Sequence, residues 1–81
     1  MQTENDESID VLVQELIQKL EQSGYSDDGK ILKNCVDGGT TGTEILMCLH
    51  WNLKQLQRNK HPSELKRELI AIQKKIGRLI R

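Results

Sequence analysis

Aromatic residues are nearly absent from this chain of 81 residues, which contains no phenylalanine and whose only aromatic side chains besides histidine are Tyr25 and Trp51. A core without phenylalanine has to be built from leucine, isoleucine and valine. Proline and glycine are also scarce, with one and six residues, which is too few for a disordered or an all-β chain. The composition therefore predicts one small domain with an aliphatic core.

Two further absences bear on location. No apolar run approaches the roughly 18 residues of a membrane span. The N-terminal sequence MQTENDES has neither the basic nor the apolar region of a signal peptide. We therefore predict a cytoplasmic protein that does not engage a membrane, and in that compartment Cys35 and Cys48 are expected to be reduced thiols.

Four segments carry apolar residues at helical spacing. They predict a compact all-α domain over residues 1–81, either a four-helix bundle or a helical array, with residues 1–6 as a disordered tail. Helix 1 is predicted from about Glu7 to Gln22, and helix 2 starts at Ser26. Helix 4 opens with Pro62 at its first helical position, where the missing N–H is harmless.

Helix 3 is introduced by the clearest local signals in the chain, in the sequence GGTTGTE of residues 38–44. Gly38 and Gly39 are expected to adopt the left-handed backbone that ends helix 2. Thr41 and Glu44 fit a capping box, in which the Thr41 hydroxyl accepts from the N–H of Glu44 and the Glu44 carboxylate accepts from the N–H of Thr41. The apolar stripe that follows consists of Ile45, Leu46, Leu49, Leu53 and Leu56.

Four residues project away from that stripe, namely Met47, Trp51, Lys54 and Arg58. A helix with apolar residues on two sides is either a central helix or a core helix with an exposed contact patch. We expect helix 3 to be central or nearly so. Because tryptophan and arginine are frequent anchors of interfaces, the same four residues are the candidate binding residues, with Tyr25 as a neighbour.

Charge is divided unequally although the net charge is zero. Residues 1–45 carry three basic and ten acidic residues, a net charge of −7, and residues 46–81 carry nine basic and two acidic residues, a net charge of +7. Either an acidic first helix lies beside a basic last helix, or a charged face attracts a partner. The first interpretation is favoured.

Candidates for reaction chemistry are few. The potential ligands Cys35, Cys48, His50 and His61 have the spacing C-x12-C-x-H-x10-H, which matches no zinc pattern. Residues two apart on a helix, such as Cys48 and His50, point in different directions. No glycine-rich phosphate loop is present. We therefore predict no metal site, no cofactor and no enzymatic activity.

Binding of another macromolecule is then the predicted function. We predict a small non-catalytic protein–protein interaction module whose partner is a protein, and the regular apolar seam of helix 4 admits a homodimer. The alternative is binding of nucleic acid through the basic C-terminal half, with helices 2 and 3 as a helix-turn-helix. Against that alternative, Glu44 opens the would-be recognition helix and the pI of about 6.7 is low for a DNA-binding domain.

The order of these elements resembles a known family. A short helix that ends in Gly38-Gly39, a helix that begins TGTEILMCL and a closing helix after Pro62 look like the layout of small helical bacterial immunity proteins of the MafI type. The similarity covers roughly residues 10–80. It implies an immunity or antitoxin-like binder that neutralises a toxin without catalysis, and it transfers no functional residue.

Overall fold

A computed structural model describes residues 9–80 of the chain, and these residues confirm the all-α architecture. The helices are α1 (Ile9–Gln22), α2 (Ser26–Gly38), α3 (Gly42–Leu56) and α4 (Ser63–Leu79), and no strand occurs between residues 9 and 80. Pro62 was predicted to be the first residue of α4, but the helix begins at Ser63 and Pro62 immediately precedes it. The predicted tail and the first residues of helix 1 lie outside the described part of the chain.

The helices form a ring in which each packs against two others. Both α1 and α3 pack against α2 and α4, whereas α1 does not pack against α3, nor α2 against α4, within the described range. Short connections between consecutive helices favour this arrangement of antiparallel neighbours. The expectation that helix 3 is central is therefore wrong: α3 buries one side and exposes the other.

The core is aliphatic, as the composition predicts. All four helices contribute fully buried side chains, which are Val13, Leu16, Leu20, Leu32, Leu49, Leu53, Leu69 and Ile76. Burying one such side chain stabilises the fold by about 1.5–3 kcal/mol relative to leaving it exposed. Because the apolar stripe of each helix is used in this core, the outward side of each helix is left for other roles.

The connection between α2 and α3 needs glycine for space and not for backbone conformation. Gly39 is extended, with φ −81° and ψ 143°, and Gly38 is the last residue of α2, so the predicted left-handed pair is wrong. Among the glycines of residues 9–80, the one with a positive φ is Gly24, at 91°. A Cβ on Gly39 would overlap Cγ1 of Ile45 and lie 3.3 Å from the carbonyl oxygen of Cys35.

A disulfide between Cys35 and Cys48 joins α2 to α3. The expectation of two reduced thiols is therefore wrong. The two Cα atoms are 5.6 Å apart, a usual separation for a disulfide. The side-chain amide of Asn52 donates to the carbonyl oxygen of Cys48 at 2.9 Å, and the same Nδ2 lies 3.3 Å from Sγ of Cys35. The expectation of reduced thiols rested on the predicted cellular location, whereas the bond depends on where two helices meet.

Candidate functional site

Hydrogen bonds at the start of α3 cap its first turn. Oγ1 of Thr41 accepts from the N–H of Glu44 at 3.2 Å, as predicted. Oε1 of Glu44 accepts from the hydroxyl and the N–H of Thr40, at 2.7 and 3.1 Å, and so the predicted return bond goes to Thr40 and not to Thr41. Donation by the Thr40 hydroxyl is the main reason that the pKa of Glu44 is lowered from its ordinary value.

The outer ridge of α3 is the candidate site. We use this name for the exposed residues Met47, Trp51, Lys54 and Arg58. At about 100° per residue, the three on the helix lie opposite the buried Leu49 and Leu53, and Arg58 is exposed in the turn after α3. Met47 is 56% exposed and Trp51 is 61% exposed. The four predicted residues are therefore all exposed, and the three on the helix share its outward side.

Both sides of the outer ridge are held by neighbouring helices. Towards α4, the Gln73 side-chain amide donates to Nε2 of His50 at 2.8 Å and accepts from the amide of Gln57 at 3.4 Å. A Cβ on Gly77 would lie 3.2 Å from Nε2 of His50, so glycine gives the imidazole its room. Towards α2, the disulfide holds the other side of the helix. The outer ridge is thus displayed on a supported helix.

Potential reactive residues of α3 diverge. Cys48 is bonded to Cys35 of α2, whereas His50 is hydrogen-bonded to Gln73 of α4, so the two side chains do not converge on one point. Residues 9–80 contain no group of three or more histidine, cysteine, aspartate or glutamate side chains that could hold a metal ion. The arrangement offers neither a thiolate next to a base nor a ligand set for a metal.

His61 and Tyr25 belong to a structural contact that the sequence analysis did not find. The buried His61 imidazole donates from Nε2 to Oδ2 of Asp28 at 2.7 Å. The Tyr25 ring, proposed as a neighbour of the outer ridge, is half-buried and packs on His61 with ring centroids 4.8 Å apart. No sequence signal connects Asp28 and His61, because they are 33 positions apart.

Charge is arranged partly as predicted. The acidic α1 does lie beside the basic α4, but the ion pair that joins them is Lys19 with Glu68, at 2.6 Å, which has the opposite polarity. Donation to Glu68 is the main reason that the pKa of Lys19 is raised. The exposed basic residues of α4 form no ion pair within residues 9–80; they are Lys66, Arg67, Lys74 and Arg78.

Two surface depressions in the described part of the chain border α1. One of about 350 Å³ lies at an end of the bundle, between Ile9, Ile45 and Leu79. Another of about 370 Å³, which we call the α1 groove, is lined by Asp10, Val11, Gln14, Glu15, Gln18 and Val36. Neither lining contains a cysteine or a histidine.

No helix within residues 9–80 combines the length and the apolar character that crossing a membrane requires. No family of known proteins matches the chain, and no curated protein or solved structure is significantly similar to it.

Proposed function

We propose that this protein is a small non-catalytic module that binds another protein through the outer ridge of α3. The observation that carries the proposal is the 61% exposure of Trp51. An exposed indole adds nothing to the core, yet burying it against a partner removes a large apolar area from water. Met47, one turn earlier and 56% exposed, extends the apolar surface with a side chain that adapts to irregular partners.

Basic residues complete the outer ridge. Lys54 follows Trp51 by one turn on the same side of α3, and Arg58 is exposed in the next turn. A guanidinium can bind a carboxylate through two parallel hydrogen bonds, which adds geometric specificity to the apolar contact. The outer ridge therefore has the composition of an interface centre, with aromatic, methionine and arginine side chains.

The geometry of α3 supports a non-catalytic role. Cys48 and His50 point to different neighbouring helices, and the Glu44 carboxylate is engaged by Thr40. An enzyme needs a nucleophile or acid–base pair that converges with a binding pocket. The residues of α3 that carry such groups are used in holding the bundle together.

Substitution of Trp51 tests the proposal. Trp51→Ala should abolish capture of the partner from an extract of the source cells while leaving the thermal unfolding of the domain nearly unchanged, because the indole is mostly exposed. Leu79→Ala is the matched control, since Leu79 is also 61% exposed but lies on α4. Equal capture by wild-type protein and Trp51→Ala would contradict the proposal.

Photo-cross-linking identifies the partner from the same surface. The chain contains two methionines, Met1 and Met47, so a photoreactive methionine analogue reports mainly on the outer ridge. We expect a cross-linked protein that is lost in Met47→Leu and in Trp51→Ala and retained in Leu79→Ala. A product that persists in Met47→Leu would place the contact away from this surface.

An immunity or antitoxin-like role is the more specific form of the proposal. It is supported by the resemblance in element order and by the exposed Met47 and Trp51 on the outward side of α3. The genes that flank this one provide the test: a neighbouring toxin gene whose product binds the wild-type protein, but not Trp51→Ala, is the expected result. Neighbouring genes of unrelated function and no toxin binding would remove this form and leave the general one.

Nucleic-acid binding is the second candidate, supported by the exposed basic residues of α4. Lys66, Arg67, Lys74 and Arg78 form no ion pair in the described residues, and such residues can bind phosphates without reading sequence. Retention on heparin and on duplex DNA, measured over a salt series, decides it. Salt-sensitive retention that survives Trp51→Ala would favour this candidate over protein binding.

A cytoplasmic location is also a proposal, and the Cys35–Cys48 disulfide opposes it. Disulfides persist mainly in oxidising compartments, whereas cytosolic thiols are kept reduced. Rapid acid quenching of cells followed by alkylation of thiols gives the test. Two alkylated cysteines would support the cytoplasm as the location, and none would indicate an oxidising compartment.

A further inference from the structure

We infer that the outer ridge of α3 also binds a second copy of this chain, in the α1 groove. This inference rests on the proposed function, because it uses the same face of α3 for binding. It names one occupant that the structure itself describes.

Charge is complementary between the two surfaces. The α1 groove contains the carboxylates of Asp10 and Glu15 and no basic residue. The outer ridge contains Lys54 and Arg58, while the acidic residue of α3, Glu44, is engaged by the hydroxyl and the N–H of Thr40. A cationic surface and an anionic one therefore meet with little repulsion.

Apolar character is also matched. Val11 lines the α1 groove and is 50% exposed, and Val36 of α2, which is half-buried, also lines it. The two valine side chains form an apolar surface that Trp51 and Met47 of a second copy would cover. The groove, of about 370 Å³, is open enough to accept side chains from a convex surface.

The ring of helices makes the contact intermolecular. Because α1 and α3 do not pack against each other, the outer ridge points away from the α1 groove of its own molecule. In a symmetric dimer with two parallel outer ridges, Lys54 and Arg58 of one copy would approach those of the other. The arrangement that pairs the basic ridge with the acidic groove is head-to-tail, in which each molecule offers one ridge and one groove.

Two variants with single defects test the head-to-tail arrangement. Trp51→Ala removes the ridge anchor and keeps the groove, whereas Val11→Lys places a cation in the groove and keeps the ridge. Each variant alone should sediment as a monomer. An equimolar mixture should form a dimer that grows no further, because one intact ridge meets one intact groove. Leu79→Lys, an apolar-to-lysine change outside both surfaces, should associate as the wild-type protein does.

Fluorescence gives an independent measurement in the same mixture. Trp51 is the only tryptophan, so the Trp51→Ala partner contributes no indole emission. Adding it to Val11→Lys should shift the emission of Trp51 to shorter wavelength as the indole leaves water. Raising the salt from about 0.01 M to about 1 M, which shortens the Debye length from about 30 Å to about 3 Å, should weaken this shift.

The outcomes separate the inference from the proposed function. Wild-type protein that remains monomeric at every concentration would overturn the inference and leave binding of a different protein to the cross-linking test. Wild-type association with a mixture that stays monomeric would also overturn it, because a head-to-tail contact must be restored in the mixture. Association that is unchanged in Trp51→Ala would overturn the inference, because the self-contact would then not use the ridge, and would leave the proposed function to the capture test.

Discussion

His61 and Asp28 hold the loop before α4 against the first turn of α2, through a hydrogen bond of 2.7 Å between Nε2 and Oδ2. The imidazole is fully buried, whereas the carboxylate is 15% exposed. A carboxylate only accepts, so Nε2 carries the proton, and the other ring nitrogen, Nδ1, has no hydrogen-bond partner among residues 9–80. This single contact joins the loop before α4 to the first turn of α2, two segments that are far apart in the chain.

Removing the carboxylate should destabilise the fold. In Asp28→Ala the buried Nε2–H of His61 loses its acceptor, and an unsatisfied buried donor costs about 1–3 kcal/mol. Asp27→Ala is the matched control, because Asp27 is exposed in the same helical turn, and its loss should change the free energy of unfolding by no more than about 0.5 kcal/mol. Urea unfolding of both variants measures the difference; equal losses would mean that only the helix dipole is involved.

Adjacent glycines should respond in opposite ways to alanine. A Cβ on Gly38 meets no atom within 4 Å, and Gly38 is helical, so Gly38→Ala should stabilise by about 0.4–1 kcal/mol. A Cβ on Gly39 would overlap Ile45, so Gly39→Ala should destabilise by about 1–3 kcal/mol as the α2–α3 junction opens. Thermal unfolding of the two variants checks the sign. A stabilised Gly39→Ala would show that the junction has room.

Acid should weaken the cap of α3. The pKa of Glu44 is lowered in the folded protein, chiefly by the Thr40 hydroxyl. The cap therefore contributes stability above the unfolded-state pKa of about 4.3, and this contribution is lost as the pH falls through the lower folded-state pKa. Glu44→Gln keeps the shape but cannot titrate in this range.

The measurement is the difference in unfolding free energy between wild-type protein and Glu44→Gln, followed from neutral to acidic pH. Other carboxylates titrate in both proteins and cancel in the difference. We expect the wild-type advantage to shrink on acidification. A difference that stays constant with pH would mean that the carboxylate charge plays no part in the cap.

Loss of the disulfide should lower stability without changing the fold. The bond closes a loop whose ends are 13 positions apart. Closing a loop of about 15 residues lowers the entropy of the unfolded chain and so stabilises the fold by about 3 kcal/mol. Cys35→Ala with Cys48→Ala should therefore unfold at lower urea concentration than the oxidised wild-type protein. Reductant should shift the wild-type midpoint, after equilibration through the unfolded state, and should leave the variant unchanged. A wild-type midpoint that reductant does not move would mean that the bond is absent in solution.

Local patterns in the sequence were sufficient for the helices and for the composition of the outer ridge. Thr41 caps α3 as predicted, because the donor and acceptor lie within one turn and need no other element. Helical period alone places Trp51 on the side of α3 opposite its buried apolar stripe. The prediction that helix 3 is central was wrong. The helical period of the apolar residues shows that the two sides of the helix differ, but it does not show whether another helix covers the outer side.

Tertiary structure decided the rest. Whether Trp51 is core or surface depended on the ring in which α3 packs only against α2 and α4. The Cys35–Cys48 and His61–Asp28 contacts depended on where separate elements meet. The physical reason is range: caps and apolar stripes arise from neighbours a few residues apart, whereas the pairing of helix faces, and with it the surface left for a partner, comes from packing among residues distant in the chain.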